Sequence, residues 1–276
     1  MAYSPSPRPT FTGPAAIPFA EATRHVWGDE ESGKVDDWIY ASTDKIHALV
    51  FGLPPGGAFR HSDAYRTVFA ADELLYVLEG TLVIANPETG EVHKAERGES
   101  VFFRRDTWHH AFAYGTEALR VLELFAPPPA AGTSGAYART RPYLAETRYA
   151  DDTLLGRWPG ASREPTMHIL RASDALWRLD GGVLVGIVAS TEHLTAGTLR
   201  LLPGQTSAVE THGGDEVLCV LEGTLQVEAW EGEESYLFEL GPKDGFYAPA
   251  GTRHEYRNPT DRPVEAIFGV APSYLS

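Results

Sequence analysis

Cysteine occurs once in the 276 residues, as Cys219, so no disulfide can close within the chain and no multi-cysteine zinc or iron–sulfur site can be built from it. Positive charge is also scarce: 23 Lys and Arg stand against 38 Asp and Glu, a formal net charge of −15. That balance argues against phosphate backbones and anionic membranes as partners, because both require a basic footprint. No apolar run approaches the ~20 residues of a bilayer span. Residues 1–20 carry one Arg, several Pro and no continuous apolar stretch, so the layout of a secretory signal is lacking. A soluble cytoplasmic protein with no nucleic-acid or membrane partner is expected. Apolar residues make up 43% of the chain and aromatics 11%, too much for disorder, and the length suits one large domain or two modest ones. The 27 Gly and 20 Pro predict many tight turns and few long helices.

The chain contains an internal repeat. Residues 73–82 read ELLYVLEGTL and residues 216–225 read EVLCVLEGTL, with eight of ten positions identical at an offset of 143. Each copy follows a Pro-Gly turn, at Pro55-Gly56 and Pro203-Gly204, and the first copy carries five additional residues between its turn and its Glu. The shared Glu-Gly-Thr turn and the shared flanks point to duplication. Short segments rich in Val, Leu, Ile, Phe and Tyr, separated by Gly, Pro, Asn or Asp, predict strands at 46–53, 74–85, 99–103, 118–125, 183–190, 197–202, 217–230, 245–248 and 263–270. An all-β fold with one small barrel per half follows. The expected boundaries are an extended N-terminal arm at 1–36, a first barrel at 37–126, a connection at 127–165 and a second barrel at 166–276.

Candidate chemistry concentrates in the second half. In PGQTSAVETHGGDEVLCVLEG (203–223), Glu210 and His212 are two apart and face the same way on an extended chain. Glu216 would be ~13 Å away on an unbroken strand, but Gly213-Gly214 can bend the chain and return it toward His212. In PAGTRHEYRN (249–258), Pro249 and Gly251 form a turn that delivers His254 from a separate strand. Two imidazoles and one or two carboxylates make a mixed N/O set suited to Fe(II), Mn(II), Ni(II) or Zn(II). The predicted metal ligands are Glu210, His212, Glu216 and His254, with Glu210 also a candidate general acid or base. Tyr256 and the aromatics at 246 and 247 read as core or pocket lining, and Cys219, at odd parity to Glu216, is expected to face away from the barrel interior.

These residues resemble the cupin family, and the repeat resembles a bicupin of two tandem jelly-roll (double-stranded β-helix) barrels. The family's first motif, G-x5-H-x-H-x3-E-x6-G, is matched by Gly204, His212, Glu216 and Gly223, with Glu210 in place of the first His. The second is matched by Pro249, Gly251, His254 and Asn258, with Lys243 at its opening Gly. In the first half, Thr67 and Phe69 stand where Glu210 and His212 do in the second, leaving Glu73, His109 and the nearby His61 as a second candidate site in a degenerate barrel; His110 is a further helper, and Arg104 and Asp106 replace the motif's Pro and Gly. The resemblance implies a metal-dependent enzyme acting on a small organic substrate, and its two-His-one-carboxylate set points first to a non-haem iron dioxygenase, with Fe(II) as the favoured metal. The Glu210-Thr211-His212 string is similar to ureidoglycine aminohydrolase-type bicupins, implying instead a hydrolase, lyase or isomerase in which Glu210 moves the proton. That family uses a His and a Gln where this chain has Glu216 and His254. A non-catalytic ligand-binding bicupin is the third reading, and a homodimer or higher homo-oligomer is expected from the Pro-rich arm.

Overall fold

The computed structural model describes residues 6–128, 135–150 and 164–275. Residues 1–5 of the expected arm, and 129–134 and 151–163 of the expected connection, lie outside the described residues. Nearly all regular structure is strand. In chain order the strands are β1 (Ala15–Ile17), β2 (Thr23–Asp29), β3 (Gly33–Ser42), β4 (His47–Leu53), β5 (Ala58–Phe59), β6 (Asp72–Glu79) and β7 (Thr81–Ala85). There follow β8 (Val92–Glu96), β9 (Ser100–Phe103), β10 (His110–Ala113), β11 (Leu119–Ala126), β12 (Met167–Leu170), β13 (Leu176–Asp180) and β14 (Val183–Ser190). The last are β15 (Thr195–Leu201), β16 (Asp215–Glu222), β17 (Leu225–Glu231), β18 (Glu234–Leu240), β19 (Gly245–Ala248), β20 (Arg253–Arg257) and β21 (Val264–Ala271).

Two compact units result, and neither is contiguous in sequence. Of the described residues, the first comprises those within 1–7, 24–38 and 49–170, and the second those within 8–23, 39–48 and 171–276. Part of the segment expected as an arm thus groups with the second unit, and β12, from the expected second barrel, groups with the first. The first unit contains a seven-stranded sheet, β12-β9-β6-β11-β4-β3-β2, and a four-stranded sheet, β5-β10-β7-β8. The second contains a seven-stranded sheet, β1-β19-β16-β21-β15-β14-β13, and a three-stranded sheet, β18-β17-β20.

The repeated Glu-Gly-Thr element sits at the same place in each unit, turning β6 into β7 and β16 into β17. Gly80 and Gly223 adopt φ of 79° and 82°, and a Cβ at either would meet a backbone carbonyl, Ala118 O or Pro263 O, at 2.8 Å. Glycine is required there by conformation and by space together. The repeat also explains the two departures from the second motif. Gly98 (φ 87°) and Lys243 (φ 72°) open that motif in the two units, and Asp106 (φ 69°) and Gly251 (φ 79°) stand at its central turn. The backbone keeps one left-handed geometry while the residue on it changes. Because a side chain in that region carries about 1 kcal/mol of strain, Lys243→Gly is expected to exceed Lys243→Ala in stability by about that amount, measured by denaturant titration.

Alternation along β16 sends Leu218 and Val220 into the second unit's core with Leu199, Val227, Phe246 and Phe268. Cys219 points to the opposite face, where Tyr40 covers it and donates its hydroxyl to Lys243 O at 2.5 Å. Burial pushes the Cys219 thiol up to about 12. Native Cys219 is expected to resist thiol–disulfide reagents at about pH 8 and to react at once in denaturant, because the attacking species is the thiolate. The sheet is extended at its edge by β1, whose Ala15–Ile17 pair antiparallel with Tyr247–Gly245 of β19.

Candidate metal centre

In the second unit the candidate ligands come from both sheets. Glu216 is the second residue of β16 and lies opposite Ala248 of β19 and Val270 of β21. His254 lies on β20 of the smaller sheet, opposite Ala229 of β17. Glu210 is pinned beside His254 by a two-way backbone bridge, Glu210 N to His254 O at 2.9 Å and His254 N to Glu210 O at 3.0 Å. His212 lies just before the Gly213-Gly214 bend, where its carbonyl accepts from Gly251 N at 2.8 Å, tying the two motifs together. The glycines have a second role besides bending: a Cβ at Gly213 would strike Leu275 O at 2.6 Å, and one at Gly214 would strike Ala271 O at 2.3 Å. They let the chain beyond β21 lie against the site.

Both imidazoles are oriented by their far nitrogens. His212 Nδ1 donates to Tyr274 O at 2.8 Å and His254 Nδ1 to Thr252 O at 3.0 Å, which turns each Nε2 inward. Glu216 Oε2 lies 3.1 Å from His254 Nε2 and 3.7 Å from His212 Nε2, while Tyr256 donates its hydroxyl to Glu216 Oε1 at 2.6 Å. Donor atoms of Glu210, His212 and His254 all lie within 4.8 Å of one another. His212, Glu216 and His254 are buried and Glu210 is partly so.

The charge pattern follows from that geometry. Burial alone would raise the Glu216 carboxyl, yet the charge of His254 at 3.1 Å, with His212 and the Tyr256 hydroxyl, holds it at about 2. His254 is shifted the other way: burial opposes its protonated form, but Glu216 outweighs that and raises it. Glu210 is raised by burial first, then by repulsion from Glu216 and Asp180. Its Oε2 accepts from Arg178 Nη2 at 3.2 Å. Glu216 Oε2 and His254 Nε2 are buried yet complete no aligned hydrogen bond. Two orphaned donor atoms facing each other, two imidazoles with inward Nε2 and a carboxylate held ionised fit a divalent first-row cation.

The first unit presents the same frame with different groups. Glu73 on β6 is buried with Oε2 unpaired, and His109 Nε2 lies 3.8 Å from it. Phe69 takes the place corresponding to His212 and packs its ring 5.8 Å from His109; Phe103 and Phe59 pack on the same imidazole at 4.9 and 5.9 Å. Thr67, the counterpart of Glu210, accepts the His109 backbone N–H at 3.1 Å. The third group near Glu73 and His109 is Glu123 of β11, at the register position that Phe268 holds in the second unit. His61, expected to help, is engaged elsewhere. Its Nε2 donates to Leu144 O at 2.7 Å and its Nδ1 shares a hydrogen bond with His110 Nε2 at 2.6 Å, while His110 Nδ1 shares one with the Tyr149 hydroxyl at 2.8 Å. Burial raises Glu73 and Glu123, each further raised by a neighbouring acid, and burial lowers His109 to about 4. This cluster is held neutral, in contrast to the ionised one in the second unit.

The family described as "Cupin domain" matches residues 49–125 and 197–270, together more than half of the chain. The chain belongs to the cupin family. It is a bicupin, with one matched region in each unit. In solved structures it is similar to the Bacillus subtilis oxalate decarboxylase at pH 4.6, at 13% identity and TM-score 0.67, covering 99% of this chain and 79% of that one. It is equally similar to the Lactobacillus farciminis oxalate decarboxylase formate complex, at 13% identity and TM-score 0.67, covering 97% and 88%. At such identity the likeness is one of fold. No curated protein matches this cupin in sequence. Among its described residues, no helix is long and apolar enough to cross a membrane.

Four residues of these sites were not singled out from the sequence as site residues. Tyr256 shares strand parity with His254, a signal that was present in the HEYRN string. Glu123 sits in an apolar run, where a lone acid marks an inward position. Arg178, on β13, and Tyr274, beyond β21, carry no motif spacing and are placed only by the closure of the sheet.

Proposed function

We propose that this bicupin is a metal-dependent enzyme whose second unit holds one divalent first-row cation through His212, His254 and Glu216, and that it acts on a small oxygen-bearing organic substrate by moving a proton with Glu210. The observation that carries the reading is the split between the two carboxyls: Glu216 lies against both imidazoles and is held ionised, whereas Glu210 stands at the edge with Arg178 and is raised. Two acids driven in opposite directions at one site are an acid/base arrangement beside a ligand. The metal, when bound, supplies Lewis acidity toward a substrate oxygen.

This chain's residues then do the rest. Tyr256 fixes the Glu216 carboxylate, Thr252 O and Tyr274 O fix the imidazoles, and Val183, Val185, Leu199 and Phe268 keep the wall dry. Glu210 gives or takes a proton at its carboxyl oxygens, with Arg178 stabilising the ionised form. A hydrolase, lyase or isomerase reaction follows. The second reading is a non-haem iron dioxygenase, favoured by the two-His-one-carboxylate set itself. A panel of small hydroxy-, keto- and dicarboxylic acids assayed with and without oxygen separates them: turnover preserved under strict anaerobiosis is expected, and turnover abolished without oxygen would transfer the assignment to the dioxygenase. We also propose a homo-oligomer. Light scattering at the mass of one chain would refute it.

A further inference from the structure

The candidate centre is walled on one side by a single residue outside the barrel strands. Tyr274, three positions beyond β21, stacks its ring on His212 at 4.5 Å and 29°, and on Phe268 at 5.7 Å and 24°. Its hydroxyl is bonded by Arg178 Nη2, the same nitrogen that reaches Glu210 Oε2 at 3.2 Å. With Tyr274 in this position the cavity it lines with Glu210, His212, Glu216 and Tyr256 measures about 10 Å³, room for one water at most. His212 is 4% exposed and His254 1%. An organic substrate therefore cannot reach these residues unless something moves. Glu216 is held on β16 between β19 and β21, and His254 between Ala229 of β17 and the Glu210 bridge, whereas Tyr274 lies after the last ladder partner, Ala271.

We infer that Tyr274 is the gate of this site and Arg178 its latch: a substrate enters when the Tyr274 ring swings off His212 and its hydroxyl leaves Arg178. The inference deepens the proposed function, on which it rests for what enters, but its geometry involves only this chain's own residues. Opening also frees one guanidinium donor beside Glu210, so an entrant bearing an acidic oxygen is preferred over a neutral one of equal size.

The test is carbethoxylation of His212 in the full-length chain freed of metal by chelator, with diethyl pyrocarbonate as the probe and peptide mass spectrometry as the readout. Exposed His168 is the internal standard. When opening is fast, labelling of a buried group tracks the population of the open form. Tyr274→Phe keeps the ring and removes the hydroxyl that meets Arg178, so about a tenfold faster labelling of His212 is expected, a hydrogen bond to a charged group having been lost. Tyr274→Ala removes the ring and is expected to give a larger acceleration. Matching thermal midpoints and unchanged His168 labelling show that neither variant has loosened generally. Tyr274→Phe labelled like wild type, with Tyr274→Ala fast, would mean a fixed wall and overturn the gate. Tyr274→Ala labelled like wild type would remove Tyr274 from the route altogether. Because no metal is needed, neither result depends on the proposed activity, whose own failure would appear in the metal analysis instead.

Discussion

Glu216→Gln is expected to cost the second unit its metal, with affinity falling by more than about a hundredfold, a larger loss than substitution of an outer orienting partner produces. The reason is charge rather than shape. Glu216 lies against both imidazoles, at 3.1 and 3.7 Å, and it is kept ionised at about 2 against burial. The amide is nearly isosteric and still accepts from Tyr256 through its oxygen, so the fold survives. What disappears is the full negative charge positioned beside the two Nε2 atoms, and a divalent cation buried there then lacks that compensation. Equilibrium titration with Zn(II) or Mn(II) against a competing chelator measures the loss. Tyr256→Phe, which removes only the 2.6 Å bond to Oε1, is expected to weaken binding by about tenfold, in the range for an orienting partner.

Glu210→Gln is expected to separate binding from turnover. Metal occupancy is retained, because His212, His254 and Glu216 are untouched, while kcat falls by about a thousandfold, within the range lost when a positioned acid or base is removed. The bond from Arg178 reaches an amide oxygen as well as a carboxylate, so the local packing is preserved. If Glu210 acts only as a ligand, metal affinity and kcat fall together and the metal restores activity at high concentration. Measuring both quantities on one variant decides the matter.

How much of this was legible in the sequence differs between core and site. The nine segments read from apolar runs are all strand, two of them, 74–85 and 217–230, as pairs of strands that turn at Gly80 and Gly223, because runs of Val, Leu, Ile and Phe mark the faces a barrel buries. Among the strands that escaped, β3 with Asp36 and Asp37, β13 with Arg178 and Asp180, and β18 carry charge on a face, so their pattern resembles loop, whereas β1, β5, β10 and β12 are too short to show a period. The convergence of Glu210, His212, Glu216 and His254 in the second unit was legible because a fixed spacing constrains the motif residues together. The gathering of Glu123 with Glu73 and His109 was not, since it depends on β11 lying beside β6, a pairing between residues far apart in the chain. His61 misled for the opposite reason: it lies near Glu73 in sequence, yet its ring is consumed by His110 and Leu144 O. Within the segment 1–36 that reads as an arm, only strand pairing shows which unit β1 completes.

The central claim is that one buried cluster in the second unit binds metal. Elemental analysis of untagged protein purified without chelator, alongside a His212→Ala/His254→Ala double variant of confirmed fold, tests it most directly. The expected result is about one equivalent of a first-row divalent metal in the wild type and none in the variant, as a single mononuclear site requires. Wild-type protein that takes up no metal even after incubation with excess, or a variant that retains its metal in full, would contradict it.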